Sequence, residues 1–354
     1  MNTIGRSSAL GCFMFLFISA CNRNAPPAAE RVVDVDAGGH RLHMLMAGEN
    51  GPTVVLESGL PGGIGWKEVR TEVGRFARVI TYDRAGFGKS EPGPNPRDAK
   101  HIATDLHTAL HNAGMLPPYL LVGHSMGGPY IRVFAAMYPQ EVAGMILVDP
   151  TDADAYESME NIKAWFAVHS PDLWPRVDAL CNLTPPALKD LDWTYAAMVK
   201  DVEEYLASVP HPRREAMRAE FWEMIDASVE KRKSPDLAPA ALAEFQACSE
   251  SFQQAMAADP LPRVPILLIA ASKPASPVEF ATALNPNARA LMQAMKDRHR
   301  EAFQKWVDAT PGAKLIITTN SGHDIPSEDP QIVIDAIRKT IEGLAMNHQH
   351  LPND

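Results

Sequence analysis

The segment Gly123-His124-Ser125-Met126-Gly127 is the part of the chain whose residue types most directly suggest chemistry. A serine hydroxyl is a poor nucleophile near neutral pH. It becomes effective when a base lies within hydrogen-bond reach and a carboxylate orients and stabilises that base. The glycines suit a sharp turn that presents the serine, because side chains two positions to either side would collide with neighbouring elements. Gly-x-Ser-x-Gly alone is a weak signal in 354 residues that include 22 glycines. Its flanks strengthen it: Tyr119-Leu120-Leu121-Val122 reads as a buried strand, and a helical run follows up to Tyr138-Pro139. Strand, turn and helix in that order form the context of a nucleophile elbow.

Such a turn needs a sheet to stand on. Short β-rich runs alternate with helical stretches from Arg31 onward, which predicts an α/β protein. Arg31 to Asp36 and Arg41 to Ala47 flank Gly38-Gly39, a hairpin signal. Thr53 to Glu57, Arg78 to Tyr82, Tyr119 to Val122, Gly144 to Val148, Pro265 to Ala270 and Lys314 to Thr318 are mostly apolar, as strands of a buried parallel sheet are. More than a hundred residues without a convincing strand separate Val148 from Pro265. They carry amphipathic stripes, Tyr195, Met198, Val199, Val202 and Leu206 on one helix and Met217, Phe221, Met224 and Ile225 on the next. Trp165, Trp174, Trp193 and Trp222 fall in the same insert. It predicts a helical cap over 150–263, with the stripes packed mainly against each other.

Composition narrows the function classes. With 46% hydrophobic and 21% charged residues the chain is globular. Its 33 basic and 43 acidic side chains give a net charge of −10 and no basic block, which argues against a nucleic-acid partner. Neither zinc-type Cys/His spacing nor a Gly-x-x-x-x-Gly-Lys phosphate loop is recognised, so neither metal nor cofactor is expected. Met1 to Ala20 hold Arg6 and then an apolar run too short to span a bilayer, the layout of a secretory signal. A polar, Pro-containing stretch, 21–30, follows as a tether. Export would place Cys181 and Cys248 in an oxidising compartment, where they could form a disulfide; a buried thiol is the other reading of Cys248.

Taken together, the elbow between its strand and helix and two further motifs resemble the α/β-hydrolase superfamily, over nearly all of Arg31 to Leu344. Tyr82-Asp83-Arg84-Ala85-Gly86-Phe87-Gly88-Lys89-Ser90 is similar to the family's Asp-x-x-Gly-x-Gly-x-Ser loop, in which Asp83 and Arg84 read as turn and packing residues. Ser321-Gly322-His323-Asp324 follows the last strand, where the family carries its catalytic histidine. Asp329-Pro330 then reads as the cap and first turn of the final helix. The resemblance implies an eight-stranded, mostly parallel sheet flanked by helices, built from 31–149 and 264–346, with the cap inserted after strand 6. It also implies Ser125 as nucleophile and His323 as base. The acid is less direct: no carboxylate follows the seventh strand before Glu279, whereas Val148-Asp149-Pro150 ends the sixth, the other location the superfamily uses. Asp149 is therefore expected, with Asp152, Asp154 and Glu279 in reserve. Backbone N–H groups of Leu60 and Met126 would form the oxyanion hole, with Ser58 standing where His is usual.

A serine nucleophile implies an acyl-enzyme and makes a small carboxylic ester the expected substrate. The alternatives are amide cleavage similar to that of proline iminopeptidases, and a non-catalytic binding protein. Ile18-Ser19-Ala20-Cys21 resembles a bacterial lipobox, which implies lipidation at Cys21 and attachment to a cell-envelope membrane, facing the periplasm, through that anchor only.

Overall fold

The computed structural model describes residues 30–60, 62, 65–151, 238–272 and 286–349. The signal segment and Cys21, the cap stripes and their tryptophans, Cys181, Asp152, Asp154 and Glu279 lie outside the described residues.

Eight strands form one sheet in the order β1-β2-β4-β3-β5-β6-β7-β8. They are β1 (Glu30–Asp36), β2 (Arg41–Ala47), β3 (Thr53–Glu57), β4 (Arg78–Tyr82), β5 (Tyr119–His124), β6 (Val142–Val148), β7 (Ile266–Ala270) and β8 (Ala313–Ile317). β2 runs antiparallel to both β1 and β4, and every other pairing is parallel. This is the α/β-hydrolase fold. The β1–β2 hairpin turns through Gly38 and Gly39, both near φ +105°, where a side chain would strain the backbone. The Asp36 carboxylate accepts hydrogen bonds from both of their N–H groups, at 3.3 and 3.0 Å.

Alternation along the central strands divides the core into two layers. Val55, Leu121, Met145 and Leu268 face one side, where α2 (Ala99–Asn112) and α3 (Gly127–Met137) bring Ile102, Leu106, Tyr130 and Phe134. Val54, Leu56, Val122, Ile146 and Ile269 face the other, against Val69 and Val73 of α1 (Lys67–Val73) and Val333 and Ile337 of the last helix (Pro330–Gln349). Both faces being covered is why these strands read as unbroken apolar runs.

The insert's returning end is part of this packing. Helices α4 (Ala238–Gln246) and α5 (Cys248–Met256) precede β7, and α5 lies against α2 and α3. Ser251 Oγ accepts the Ala99 N–H at 3.0 Å and Gln254 Oε1 accepts the Lys100 N–H at 2.9 Å, so α5 satisfies orphan donors at the start of α2. Cys248 is a free thiol, and burial pushes its pKa up to about 12. That is the behaviour of a small hydrophobe rather than of a reactive cysteine. Helices α6 (Pro286–Ala309), α7 (Ile325–Glu328) and α8 (Pro330–Gln349) complete the described chain.

Candidate active site

The parallel strands β3, β5, β6 and β8 all end on one side of the sheet, which is where open α/β sheets collect their functional loops. Ser125 follows β5, Asp149 follows β6, and His323 follows β8 by six residues. The structure brings the three together. His323 Nε2 lies 2.9 Å from Ser125 Oγ, and His323 Nδ1 lies 2.7 Å from Asp149 Oδ2. The carboxylate assigns the ring proton to Nδ1, leaving Nε2 to accept from the serine hydroxyl.

Ser125 and Asp149 are the non-glycine residues with positive φ among the described residues, at 54° and 40°. Each such conformation costs on the order of 1–3 kcal/mol and persists only where its surroundings enforce it. Here they do. The Ser125 N–H donates to the Val148 carbonyl at 3.1 Å, and the Ser125 carbonyl accepts from Gly128 at 2.9 Å and from Thr151 at 3.1 Å. The Asp149 N–H donates to the Ile269 carbonyl at 2.7 Å, and its Oδ1 accepts the Ala271 N–H at 2.8 Å. The glycines are required by contact as well as by conformation. A Cβ on Gly123 would lie 2.4 Å from the Gly127 carbonyl oxygen, and one on Gly127 would lie 2.4 Å from that of Glu57.

Electrostatics hold the carboxylate ionised. Burial pushes Asp149 towards neutrality, but the hydrogen bond and charge of His323 and the Ala271 N–H outweigh it, so its pKa lies below the usual carboxylate range. His124 is held the opposite way: burial, then the neighbouring His323, lowers it to about 4. It is therefore neutral at physiological pH, with Nε2–H donating to the His323 carbonyl at 2.7 Å. The His124 ring thus anchors the loop that carries His323.

That pKa has a consequence for stability. A histidine near 6.5 when unfolded and about 4 when folded takes up its proton first in the unfolded chain, so stability falls as pH drops from 6.5 towards 4. The expected loss is on the order of 3 kcal/mol. Unfolding free energies measured across that window should show the slope, and His124→Gln should flatten it; an equal slope in both proteins would assign it to other groups.

Glu57-Ser58-Gly59-Leu60 approaches the serine from β3. A Cβ on Gly59 would lie 2.7 Å from Ser125 Cβ and 3.2 Å from its Oγ, so only glycine allows this approach. The loop is held from behind by Arg84, all five of whose N–H donors are used. Nη1 donates to Glu57 Oε1 at 2.8 Å and the Ser58 carbonyl at 2.6 Å. Nη2 donates to the Gly59 carbonyl at 2.9 Å and Glu244 Oε2 at 2.9 Å, and Nε to Glu244 Oε1 at 2.8 Å. In a trans peptide the N–H points opposite to the carbonyl. Fixing the Gly59 carbonyl on Arg84 therefore turns the Leu60 N–H away from the guanidinium. Met126 occupies the N-cap of α3, where the helix dipole favours developing negative charge.

The Arg84 cluster is buried, with side chains of Arg84, Glu57 and Glu244 no more than 2% exposed. The Tyr82 hydroxyl donates to Glu57, and the guanidinium lies 5.3 Å from the Phe87 ring centroid and 5.2 Å from that of Tyr130. Arg84→Met would leave two carboxylates buried without their counter-charge, and should cost about 3–5 kcal/mol. A lowered denaturant midpoint would show it, and an unchanged midpoint would mean that the cluster contributes nothing to folding.

Asp83 accepts the Lys89 N–H at 3.0 Å, as a turn residue. Asp329 directly precedes α8 as expected, but its carboxylate accepts from the Thr318 hydroxyl at 2.8 Å, which ties the end of β8 to that helix. Sequence reasoning missed Thr151, whose Oγ1 lies 3.3 Å from Ser125 Oγ. It missed Glu244 as well. Thr151 also lines a cavity of about 200 Å³ with Pro129, Leu147, Pro150, Phe303 and Trp306.

Comparison with known proteins agrees with this architecture. Residues 52–184 match the family model described as alpha/beta hydrolase fold. The chain is 25% identical over 327 residues to a Hormonema carpetanum protein named as the transporter efuK, covering 87% of this chain and 42% of that protein. It is 30% identical over 148 residues to a 2-hydroxy-6-oxo-6-phenylhexa-2,4-dienoate hydrolase of Comamonas testosteroni, covering 40% of this chain and 52% of that one. The matched stretches thus span about half, or less, of these curated relatives. Among solved structures, the enol-lactonase from Burkholderia xenovorans LB400 superposes with a TM-score of 0.54 at 18% identity, covering 88% of this chain and all of that one.

Proposed function

We propose that this chain of α/β-hydrolase fold is a serine hydrolase that cleaves small carboxylic esters through an acyl-serine intermediate. The observation that carries the reading is the continuous hydrogen-bonded line from Ser125 Oγ through His323 to Asp149. In the proposed cycle His323 Nε2 takes the hydroxyl proton as Ser125 Oγ attacks the ester carbonyl, and Asp149 stabilises the resulting imidazolium. The Leu60 and Met126 N–H groups receive the oxyanion. Collapse of the tetrahedral intermediate breaks the bond to the alkoxy oxygen, which leaves as alcohol with the proton from His323. Water, deprotonated by the same nitrogen, then hydrolyses the acyl-serine and regenerates Ser125.

The test is turnover of a chain-length series of p-nitrophenyl esters, together with labelling of Ser125 by a fluorophosphonate. Turnover of at least one ester in the series, and labelling at Ser125, are expected. Neither turnover nor labelling would favour a non-catalytic binding protein. The name of the Comamonas testosteroni relative motivates a second reading, hydrolysis beside a ketone, and turnover of an oxo-dienoate in preference to every ester would select it. The same proposal places the enzyme on a bacterial envelope membrane through a lipid on Cys21.

A further inference from the structure

At the opposite end of the sheet, His107 and His111 lie one turn apart on α2 and face Glu141, which sits in the 3₁₀ turn Pro139–Glu141 just before β6. His107 Nε2 is 3.1 Å from Glu141 Oε1, and His111 Nε2 is 3.2 Å from Oε1 and 3.0 Å from Oε2. We propose that His107, His111 and Glu141 form a binding site for a divalent transition metal of the zinc class.

Donor set, spacing and orientation all argue for it. Imidazole nitrogens with one carboxylate suit zinc, nickel, cobalt and copper(II) rather than calcium or magnesium, which take oxygen ligands. Histidines four residues apart on a helix project from the same face, the arrangement by which a helix offers two nitrogens to one ion. Zinc binds imidazole nitrogen at about 2.0–2.1 Å and carboxylate oxygen at about 2.0–2.2 Å, so tetrahedral ligands stand about 3.4 Å apart. The three ligand atoms lie within 4.8 Å of one another, with the His–Glu separations already just over 3 Å. A small rotation of the exposed His111 side chain, with a slight shift of the Glu141 carboxylate, would bring the shell to that size.

The His107 ring is fixed in place, stacked on Tyr138 with centroids 3.7 Å apart and planes 5° from parallel. Its orientation thus does not have to be fixed on binding. His111, by contrast, is half-exposed, which gives an ion its entry path and leaves a fourth position for water. The geometry joins the C-terminal half of α2 to the turn between α3 and β6, at the other end of β5 and β6 from Ser125 and Asp149. The role that follows is cross-linking of two elements of the fold, not chemistry on the ester. A histidine pair on a helix, completed by a glutamate some thirty residues away, has none of the zinc-type Cys/His spacing by which a metal site is read from sequence.

The experiment is calorimetric titration of the full-length, chelator-stripped protein with zinc, read beside thermal unfolding with zinc or magnesium. Saturable one-to-one binding in the micromolar range is expected, with an unfolding temperature raised by zinc and not by magnesium. His111→Gln and, separately, Glu141→Gln should each weaken binding at least about tenfold while leaving ester turnover unchanged. Absence of saturable binding up to millimolar zinc would overturn the proposal, and so would wild-type affinity in both variants, which would place the ion on other residues.

Discussion

Ser125→Ala is expected to lower kcat for any ester the protein turns over by on the order of 10⁶, with the fold intact. The substitution removes one oxygen. The backbone at φ 54° already carries a Cβ, so alanine adds no new strain, and the bonds from the Ser125 N–H and carbonyl to Val148, Gly128 and Thr151 do not involve the side chain. What disappears is the hydroxyl 2.9 Å from His323 Nε2. A residual rate of about 10³–10⁴ over water should persist, because the backbone donors for the oxyanion remain. Steady-state turnover of wild type and variant, at matched melting temperature, measures the difference. A loss of tenfold or less would mean that another group attacks the ester.

The second large effect is expected from Asp149→Asn, about 10⁴ in kcat. An asparagine oxygen can still accept the Ala271 N–H that Oδ1 accepts now at 2.8 Å, so the end of β6 keeps its tie to the chain after β7. The amide nitrogen then faces His323 Nδ1. It can only donate, which forces the ring proton onto Nε2 and leaves no lone pair for the Ser125 hydroxyl. Geometry is preserved and the tautomer is wrong. Linkage adds a second readout. Because the folded-state pKa of Asp149 is depressed, its ionisation stabilises the fold above the ordinary carboxylate value, and that contribution is lost as pH falls through the folded value. The variant should lack this acid-side loss. Turnover unchanged in Asp149→Asn would move the acid to another carboxylate.

Much of this was legible in the sequence because it is local. The eight strands fall within one or two residues of their sequence runs, most directly β3 to β7, which are buried on both faces and have no polar alternation to blur them. The elbow was legible because its glycines are dictated by contacts a few residues away, Gly123 against the Gly127 carbonyl. What stayed hidden is non-local. Glu57 ends an otherwise apolar strand and Arg84 lies two residues past the neighbouring one, a pairing that could have been suspected. Glu244 comes from 160 residues further along, and no periodicity marks it. The anchoring role of His124 is hidden for the same reason: a ring's direction depends on the loop it meets, and that loop arrives 199 residues later.

The insertion leaves the core beside Thr151 and rejoins it along α4, and both ends grip the reaction centre. At the exit, the Thr151 hydroxyl and N–H touch Ser125. At the return, Glu244 is clasped by the same guanidinium that fixes the Ser58 and Gly59 carbonyls. For anyone exchanging the insertion, the seams therefore lie inside it, after Thr151 and before α4. A chimera cut at the strand ends would carry away Thr151 and Glu244 together, and with Glu244 one of the two carboxylates that hold Arg84 against the Ser58 and Gly59 carbonyls.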